Sequence, residues 1–182
     1  MPRAEAGELA RSVWPEIPKA ALVLVPVGST EQHGPHLPLG TDSVIAETVA
    51  RRTARQLTHE HVLLAPCITY GASGEHAGFP GTVSIGHEAL HVLLVETVRS
   101  LSLWAGRVVF VKLMAHGVRA VSPSGVLGDP AGATAEEGRA LLRAMVSAAV
   151  RLITEGDVDA RGRLAGAGDT PRPAGRRTAA RS

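Results

Sequence analysis

Short apolar runs alternate with longer amphipathic segments along the first 155 residues of the chain. Three runs rich in β-branched residues predict buried strands over 21–28, 62–68 and 107–111. Four segments with helical patterns predict helices over 4–12, 41–56, 86–104 and 135–154. Strands that alternate with helices in this way predict an α/β fold with a mainly parallel sheet.

Some residues refine these elements. The run over 21–28 is almost wholly apolar and predicts the central strand of the sheet. Pro66 has no backbone N–H, so it predicts an edge or a bulge in the second strand. Thr41 and Thr134 precede helical patterns and predict N-caps, and the helix from 86 should bury an apolar face. That face comprises Leu90, Leu93, Leu94, Val98 and Leu101.

The chain of 182 residues is long enough for one domain, which we assign to residues 1–155. Within it, residues 112–133 contain turn sequences and little regular pattern, which indicates a long loop. Residues 156–182 are rich in Arg, Gly and Pro and predict a disordered tail. The sequence therefore indicates a single globular unit followed by a polar extension.

Charge and composition exclude several classes of function. The net charge is +2, but six arginines against three aspartates give the region 157–182 a charge of +3, so the rest carries −1. Without a basic body and with only 3% aromatic residues, nucleic-acid binding is not expected. The single cysteine, Cys67, predicts no internal disulfide and a cytoplasmic protein. The charged start and short apolar runs predict neither a signal peptide nor a membrane span.

Four residues of types that bind metals follow the predicted central strand within twelve positions: Glu31, His33, His36 and Asp42. Ligands of parallel sheets bind at the carboxyl ends of strands, where this loop lies. Carboxylate and imidazole together suit zinc, manganese or iron(II). Two such cations about 3.5–4 Å apart can share and deprotonate one water, with Asp42 as the bridging carboxylate. A lone Glu-x-His is commonly a solvated surface feature, but four donors after a buried strand favour a metal site.

Three stretches resemble motifs of the creatininase family of metal-dependent amidohydrolases. They are 31–42 (EQHGPHLPLGTD), 71–82 (GASGEHAGFPGT) and 125–138 (GVLGDPAGATAEEG). The resemblance implies a three-layer α/β/α sandwich, a homo-oligomer, and two metals per site with Glu31, His33 and Asp42 as ligands. Within the family, the chain is most similar to the peptidases of the mycofactocin system. That similarity implies trimming of the C-terminus of a small precursor peptide.

The second motif places Glu75 and His76 in the expected substrate pocket. A Glu-His pair flanked by glycines could transfer protons or hold substrate, and we predict this pair as the catalytic residues. The alternative is that the two side chains only brace the neighbouring loop. His36 is the weakest candidate ligand and is expected at most to hydrogen-bond to a ligand.

The sequence departs from the family after Val111. The family continues with N-G-H-G-G-N and later with H-A-G-x-x-E-T, which supply further ligands, whereas this chain reads KLMAHGVRAVSP from Lys112. His116 could replace the missing ligand, but its surroundings run directly into the third motif. We therefore predict an internal deletion near Lys112, too few ligands for two metals, and apolar surface left exposed.

The leading hypothesis is a metal-dependent hydrolase of amide or peptide C–N bonds. One alternative is an inactive remnant that acts at most as a binding or scaffold subunit, and the missing block favours it. Another is a hydrolase of creatinine-type or formamide-type small amides. A small peptide or amide is the expected substrate in each active case.

Overall fold

The computed structural model describes residues 7–58, 61–112, 130–159 and 162–165. Within these ranges, four parallel strands form the main sheet: β1 (Gly7–Glu8), β2 (Leu22–Val27), β3 (Val62–Leu64) and β4 (Arg107–Lys112). Their order across the sheet is β1-β3-β2-β4. Three α-helices accompany them: α1 (Thr41–Gln56), α2 (Gly86–Leu101) and α3 (Ala135–Glu155). The predicted α/β class with a parallel sheet is confirmed.

The strand β2 is central, as the sequence predicts. It pairs with β3 on one side and with β4 on the other, and all six of its residues are buried. Of the two alternatives predicted at Pro66, the edge is wrong, because β3 lies between β1 and β2. The bulge is confirmed, because three residues between Leu64 and Ile68 oppose only two between Leu24 and Val27. Regular pairing of β3 ends at Leu64, before Pro66, and resumes only as a single bridge between Ile68 and Val27. The proline thus shortens the strand without moving it to the edge.

Helices flank both faces of the sheet because side chains alternate along each strand. On one face, Leu22 and Leu24 pack with Ala50 and Ala54 of α1 and with Ile153 of α3. On the opposite face, a second cluster joins the sheet to the end of α2: Ala21, Val23, Val25, Leu63 and Leu101. Complete burial of an aliphatic side chain contributes about 1.5–3 kcal/mol each, so these two clusters are the main source of stability.

The helix α2 is present where its periodicity predicts it, but its apolar face is mostly not buried. Of the five residues expected on that face, only Leu101 is buried. Exposure is 59% for Val92, 40% for Leu93 and 37% for Val98. The spacing of apolar residues predicts that the segment is helical. Whether those residues are buried depends on other elements that pack against the helix. This helix therefore has the exposed apolar surface that is expected if an internal block is missing.

The start of the chain differs from the prediction. A helix was expected over 4–12, yet Gly7–Glu8 is a strand paired with β3, and Leu9–Arg11 forms one turn of 3-10 helix. Hydrogen bonds to a distant strand outweigh the local helical preference here. A Cβ on Gly7 would lie 2.9 Å from Leu63 Cδ2, so a glycine allows this close pairing.

The helix α3 begins with a capping box. The Thr134 side chain accepts a hydrogen bond from the Glu137 backbone N–H at 3.2 Å, and the Glu137 carboxylate accepts one from the Thr134 N–H at 3.0 Å. The predicted Thr134 cap is confirmed. The predicted Thr41 cap is wrong by one residue, because Gly40 is the N-cap and Thr41 already belongs to α1.

We expect Thr134→Ala to lower the free energy of unfolding by about 1 kcal/mol, because the Glu137 backbone N–H loses its side-chain acceptor. Urea titration monitored by circular dichroism measures this loss. Thr154→Ala, at the exposed far end of the same helix, is the matched control and should change stability by less than about 0.5 kcal/mol. Equal losses in both variants would contradict a capping role for Thr134.

Short strands β5 (Asp157–Val158) and β6 (Leu164–Ala165) form an antiparallel pair inside the region for which the sequence predicts disorder. A 3-10 turn spans Pro130–Gly132 in the predicted long loop, and residues 113–129 lie outside the described ranges. The division into a domain over 1–155 and a tail stays a prediction. No helix in the described part of the chain is long and apolar enough to cross a membrane.

Candidate metal centre

The candidate site forms where the end of β2 meets the start of α1. Gly28 follows the strand directly, and a Cβ at this position would lie 2.5 Å from Ser43 Cα and 2.6 Å from Ser43 N. Only glycine therefore lets the helix start approach the strand so closely. This approach brings Asp42, in the first turn of α1, next to Ser29.

Two serines join the strand end to the helix. Ser29 Oγ–H donates to Asp42 Oδ2 at 2.6 Å, and Ser43 Oγ–H donates to the Ser29 carbonyl at 3.2 Å. Ser29 is 3% exposed and Ser43 is 8% exposed, so water competes little with either bond. The Asp42 carboxylate is consequently held in one orientation, with Oδ1 turned away from Ser29.

Three of the four predicted donors come together. Glu31, His33 and Asp42 each offer one ligand atom, and these atoms lie within 4.8 Å of one another. His33 Nε2 is 3.0 Å from Asp42 Oδ1. All three side chains are partly buried, which limits hydration of their charges without closing the site to small ligands.

The contacts of His33 fit a cation. Its Nδ1 lies 3.0 Å from the Glu31 carbonyl oxygen, which can only accept, so Nδ1 carries the hydrogen and donates it. A neutral ring then presents the Nε2 lone pair to the negatively charged Asp42 Oδ1. Two lone pairs cannot face each other at this distance, so either a hydrogen or a metal ion must lie between the two atoms. Imidazole nitrogen with two carboxylates matches the ligands of zinc and related metals.

The second motif packs against this loop. Val83 N–H donates to the Thr30 carbonyl at 2.9 Å, and Gln32 N–H donates to Thr82 Oγ1 at 3.2 Å. These bonds bring His76 Nε2 to 3.6 Å from Glu31 Oε1, with only 6% of the His76 side chain and 13% of the Glu31 side chain exposed. The predicted pocket residue His76 thus lies beside a candidate ligand.

Other predicted residues fall outside the cluster. Glu75 is partly exposed, and its carboxylate has no hydrogen bond or ion pair to the residues that the structure describes. His36 is exposed and does not belong to the three-residue group. His116 lies outside the described residues, so its role as a ligand stays a prediction. The sequence analysis missed Ser29 and Gln32, two buried polar residues that lie beside candidate metal ligands. Their only signal in the sequence is that they lie within two positions of Glu31.

Cys67 is a free cysteine, and its side chain is half-buried. Burial first, and then the charge of Glu47, raise the pKa of this thiol, and its Sγ–H donates to the Ile68 carbonyl at 3.6 Å. At about pH 8 we expect Cys67 to react with iodoacetamide several-fold more slowly than a free cysteine, since the thiolate is the reactive form. Glu47→Gln should speed this reaction only modestly, because burial is the larger cause. Alkylation at the rate of a free cysteine would contradict the prediction.

Comparison with known proteins indicates the same family that the three motifs resemble. The family profile described as creatinine amidohydrolase matches residues 10–117 and 109–153. A Mycobacterium tuberculosis protein named mycofactocin precursor peptide peptidase is 36% identical over 227 aligned positions, which cover 81% of this chain and 90% of that protein. A protein of the same name from Mycolicibacterium smegmatis is 59% identical over 99 positions, covering 53% of this chain and 39% of that one.

Solved structures agree on the fold. A creatininase variant complexed with creatine superimposes with a TM-score of 0.52 at 28% identity, covering 58% of this chain and 44% of that chain. A crystal structure of creatinine amidohydrolase gives a TM-score of 0.51 at 26% identity, over 59% of this chain and 44% of that chain. The matched part of this chain thus spans less than half the length of these structures.

The alignment with the M. tuberculosis protein is longer than this chain. Since 81% of 182 residues is about 147 residues, about 80 of the 227 aligned positions have no counterpart here. The two profile matches overlap at residues 109–117, a range that includes Lys112. Both observations support a missing internal block, and its exact position stays a prediction.

Proposed function

The chain belongs to the creatininase family, and from this membership we propose that it is a metal-dependent hydrolase of amide or peptide C–N bonds. The observation that carries the proposal is the group of Glu31, His33 and Asp42, whose ligand atoms lie within 4.8 Å of one another. We further propose the C-terminus of a mycofactocin precursor peptide as the substrate, because two relatives bear that name. Small amides of the creatinine type are the alternative substrates.

In this proposal Glu31, His33 and Asp42 hold the cation, which is zinc, manganese or iron(II) from the chemistry of its ligands. A bound divalent metal acidifies water and polarises a carbonyl oxygen. Ser29 keeps Asp42 aligned through its hydrogen bond of 2.6 Å. Water molecules or another subunit of a homo-oligomer would have to supply the remaining ligands of such a cation.

Hydrolysis of an amide needs groups that accept a proton from water and return one to the leaving nitrogen. We propose Glu75 for this exchange, because its partly exposed carboxylate has no partner among the described residues. His76 was predicted alongside Glu75 as a catalytic residue. His76 is buried and lies 3.6 Å from Glu31, which supports an indirect role, in which it acts on the candidate metal ligand Glu31.

A second candidate function is metal binding without turnover. The gap of about 80 aligned positions favours it, because relatives carry there a segment that this chain lacks. Three ligand residues can hold one cation, but two cations require more ligands than this group offers. Such a chain would act as a binding or scaffold subunit.

Metal analysis combined with a cleavage assay separates these candidates. The purified chain, loaded with zinc or manganese, is incubated with a synthetic peptide that matches the C-terminus of a mycofactocin precursor, and with creatinine. Peptide cleavage that Asp42→Ala abolishes supports the peptidase, whereas creatinine turnover alone supports the small-amide hydrolase. Stoichiometric metal without turnover supports the second candidate. Absence of bound metal would overturn both proposals.

A further inference from the structure

Gln32 lies between two candidate ligands and is buried, with 7% of its surface exposed. Its Oε1 accepts the Gly34 backbone N–H at 2.8 Å. Because this donor occupies the carbonyl end of the amide, the NH2 end must face the other way. There, Nε2 lies 2.7 Å from His76 Nδ1.

An amide NH2 group can only donate, so His76 Nδ1 must accept. A neutral imidazole that accepts at Nδ1 carries its hydrogen on Nε2. His76 Nε2 is the atom that lies 3.6 Å from Glu31 Oε1, slightly beyond hydrogen-bond distance. The hydrogen is therefore on the nitrogen that lies 3.6 Å from the carboxylate, whereas the opposite tautomer would place a lone pair there.

We propose that Gln32 is a positioning residue, which selects the Nε2–H tautomer of His76 and through it orients Glu31 for metal binding. The inference rests on the proposed metal site and gives a role to Gln32, a residue of the first motif that the sequence analysis left without one. Ligand orientation by a hydrogen-bonded neighbour commonly changes metal affinity by 10- to 100-fold. Because the side chains of His76 and Glu31 are largely buried, water has little access to orient Glu31 in place of His76.

Gln32→Glu tests the proposal with almost unchanged shape. The new carboxylate still accepts from Gly34, but it offers His76 an acceptor in place of a donor. His76 Nδ1 should then carry a hydrogen, which it donates to the new carboxylate. Gln56→Glu, at the exposed end of α1, is the matched control because it makes the same chemical change far from the site.

The tautomer is read in the metal-free protein from 15N signals of the imidazole ring, which distinguish a nitrogen that carries a hydrogen from one that does not. In the wild-type chain we expect Nδ1 to be without hydrogen, and in Gln32→Glu we expect Nδ1 to carry one. Zinc affinity from calorimetry should fall by about 10- to 100-fold in Gln32→Glu and stay within about twofold in Gln56→Glu.

A bracing role for Gln32 would lower stability without changing the tautomer, so an unchanged 15N pattern in a folded Gln32→Glu protein would overturn the inference. Hydrogen on Nδ1 of the wild-type ring would do the same. Unchanged zinc affinity despite a reversed tautomer would remove the link to Glu31. A wild-type chain that binds no zinc would instead overturn the proposed function, while the 15N signals still decide whether Gln32 selects the tautomer.

Discussion

Zinc affinity is expected to fall at least about 100-fold when Asp42 is replaced by alanine, because a charged ligand is then removed outright. The loss should appear in calorimetry and also in thermal unfolding. A ligand at 100 times its dissociation constant stabilises the native state by about 2.7 kcal/mol, and the variant should lose that increment. In the metal-free state we expect Asp42→Ala to cost about 1–2 kcal/mol, since Ser29 Oγ–H loses its acceptor.

Two further variants separate lost ligation from altered folding. Asp42→Asn keeps the size of the side chain and an oxygen that can accept from Ser29, yet it removes the charge, so it should weaken zinc binding with little loss of stability. Glu47→Ala removes a carboxylate from the exposed side of the same helix and should leave zinc affinity within about twofold. Tight zinc binding by Asp42→Asn and Asp42→Ala would refute the ligand assignment.

The ligand cluster was predictable because its members are close in sequence and follow a strand that composition alone identifies. Glu31 and His33 are two residues apart, and the start of α1 returns Asp42 to them. The elements of the fold that the sequence predicts are likewise those with a local pattern of apolar residues. A continuous apolar run identifies β2, and apolar residues at helical spacing identify α1 and α3.

Features that depend on distant partners were not predictable. The strand β1 has two residues and exists only because β3 lies beside it, so local preference indicated a helix instead. The contact between Gln32 and His76 joins residues 44 positions apart, and no periodicity reports such a pair. The exposed face of α2 is a further case, since its sequence pattern is that of a covered helix.

Gly28→Ala is the second large effect that we expect. The added Cβ would lie 2.5 Å from Ser43 Cα and 2.6 Å from Ser43 N, which are backbone atoms that no side-chain rotation can move. Relief therefore requires the start of α1 to shift away from β2. We expect a loss of about 2–4 kcal/mol in the free energy of unfolding, measured by urea titration, together with a loss of zinc affinity.

Gly74→Ala is the matched control, because no atom lies within 4 Å of the Cβ it would add. Both substitutions restrict the unfolded chain equally, which by itself stabilises a protein by about 0.4–1 kcal/mol. The difference between the two variants consequently isolates the clash in the folded state. If a folded Gly28→Ala protein kept wild-type zinc affinity, the close approach of α1 to β2 would not be what places Asp42. If zinc affinity falls while the control stays unchanged, this glycine connects the packing of the fold to the geometry of the metal site.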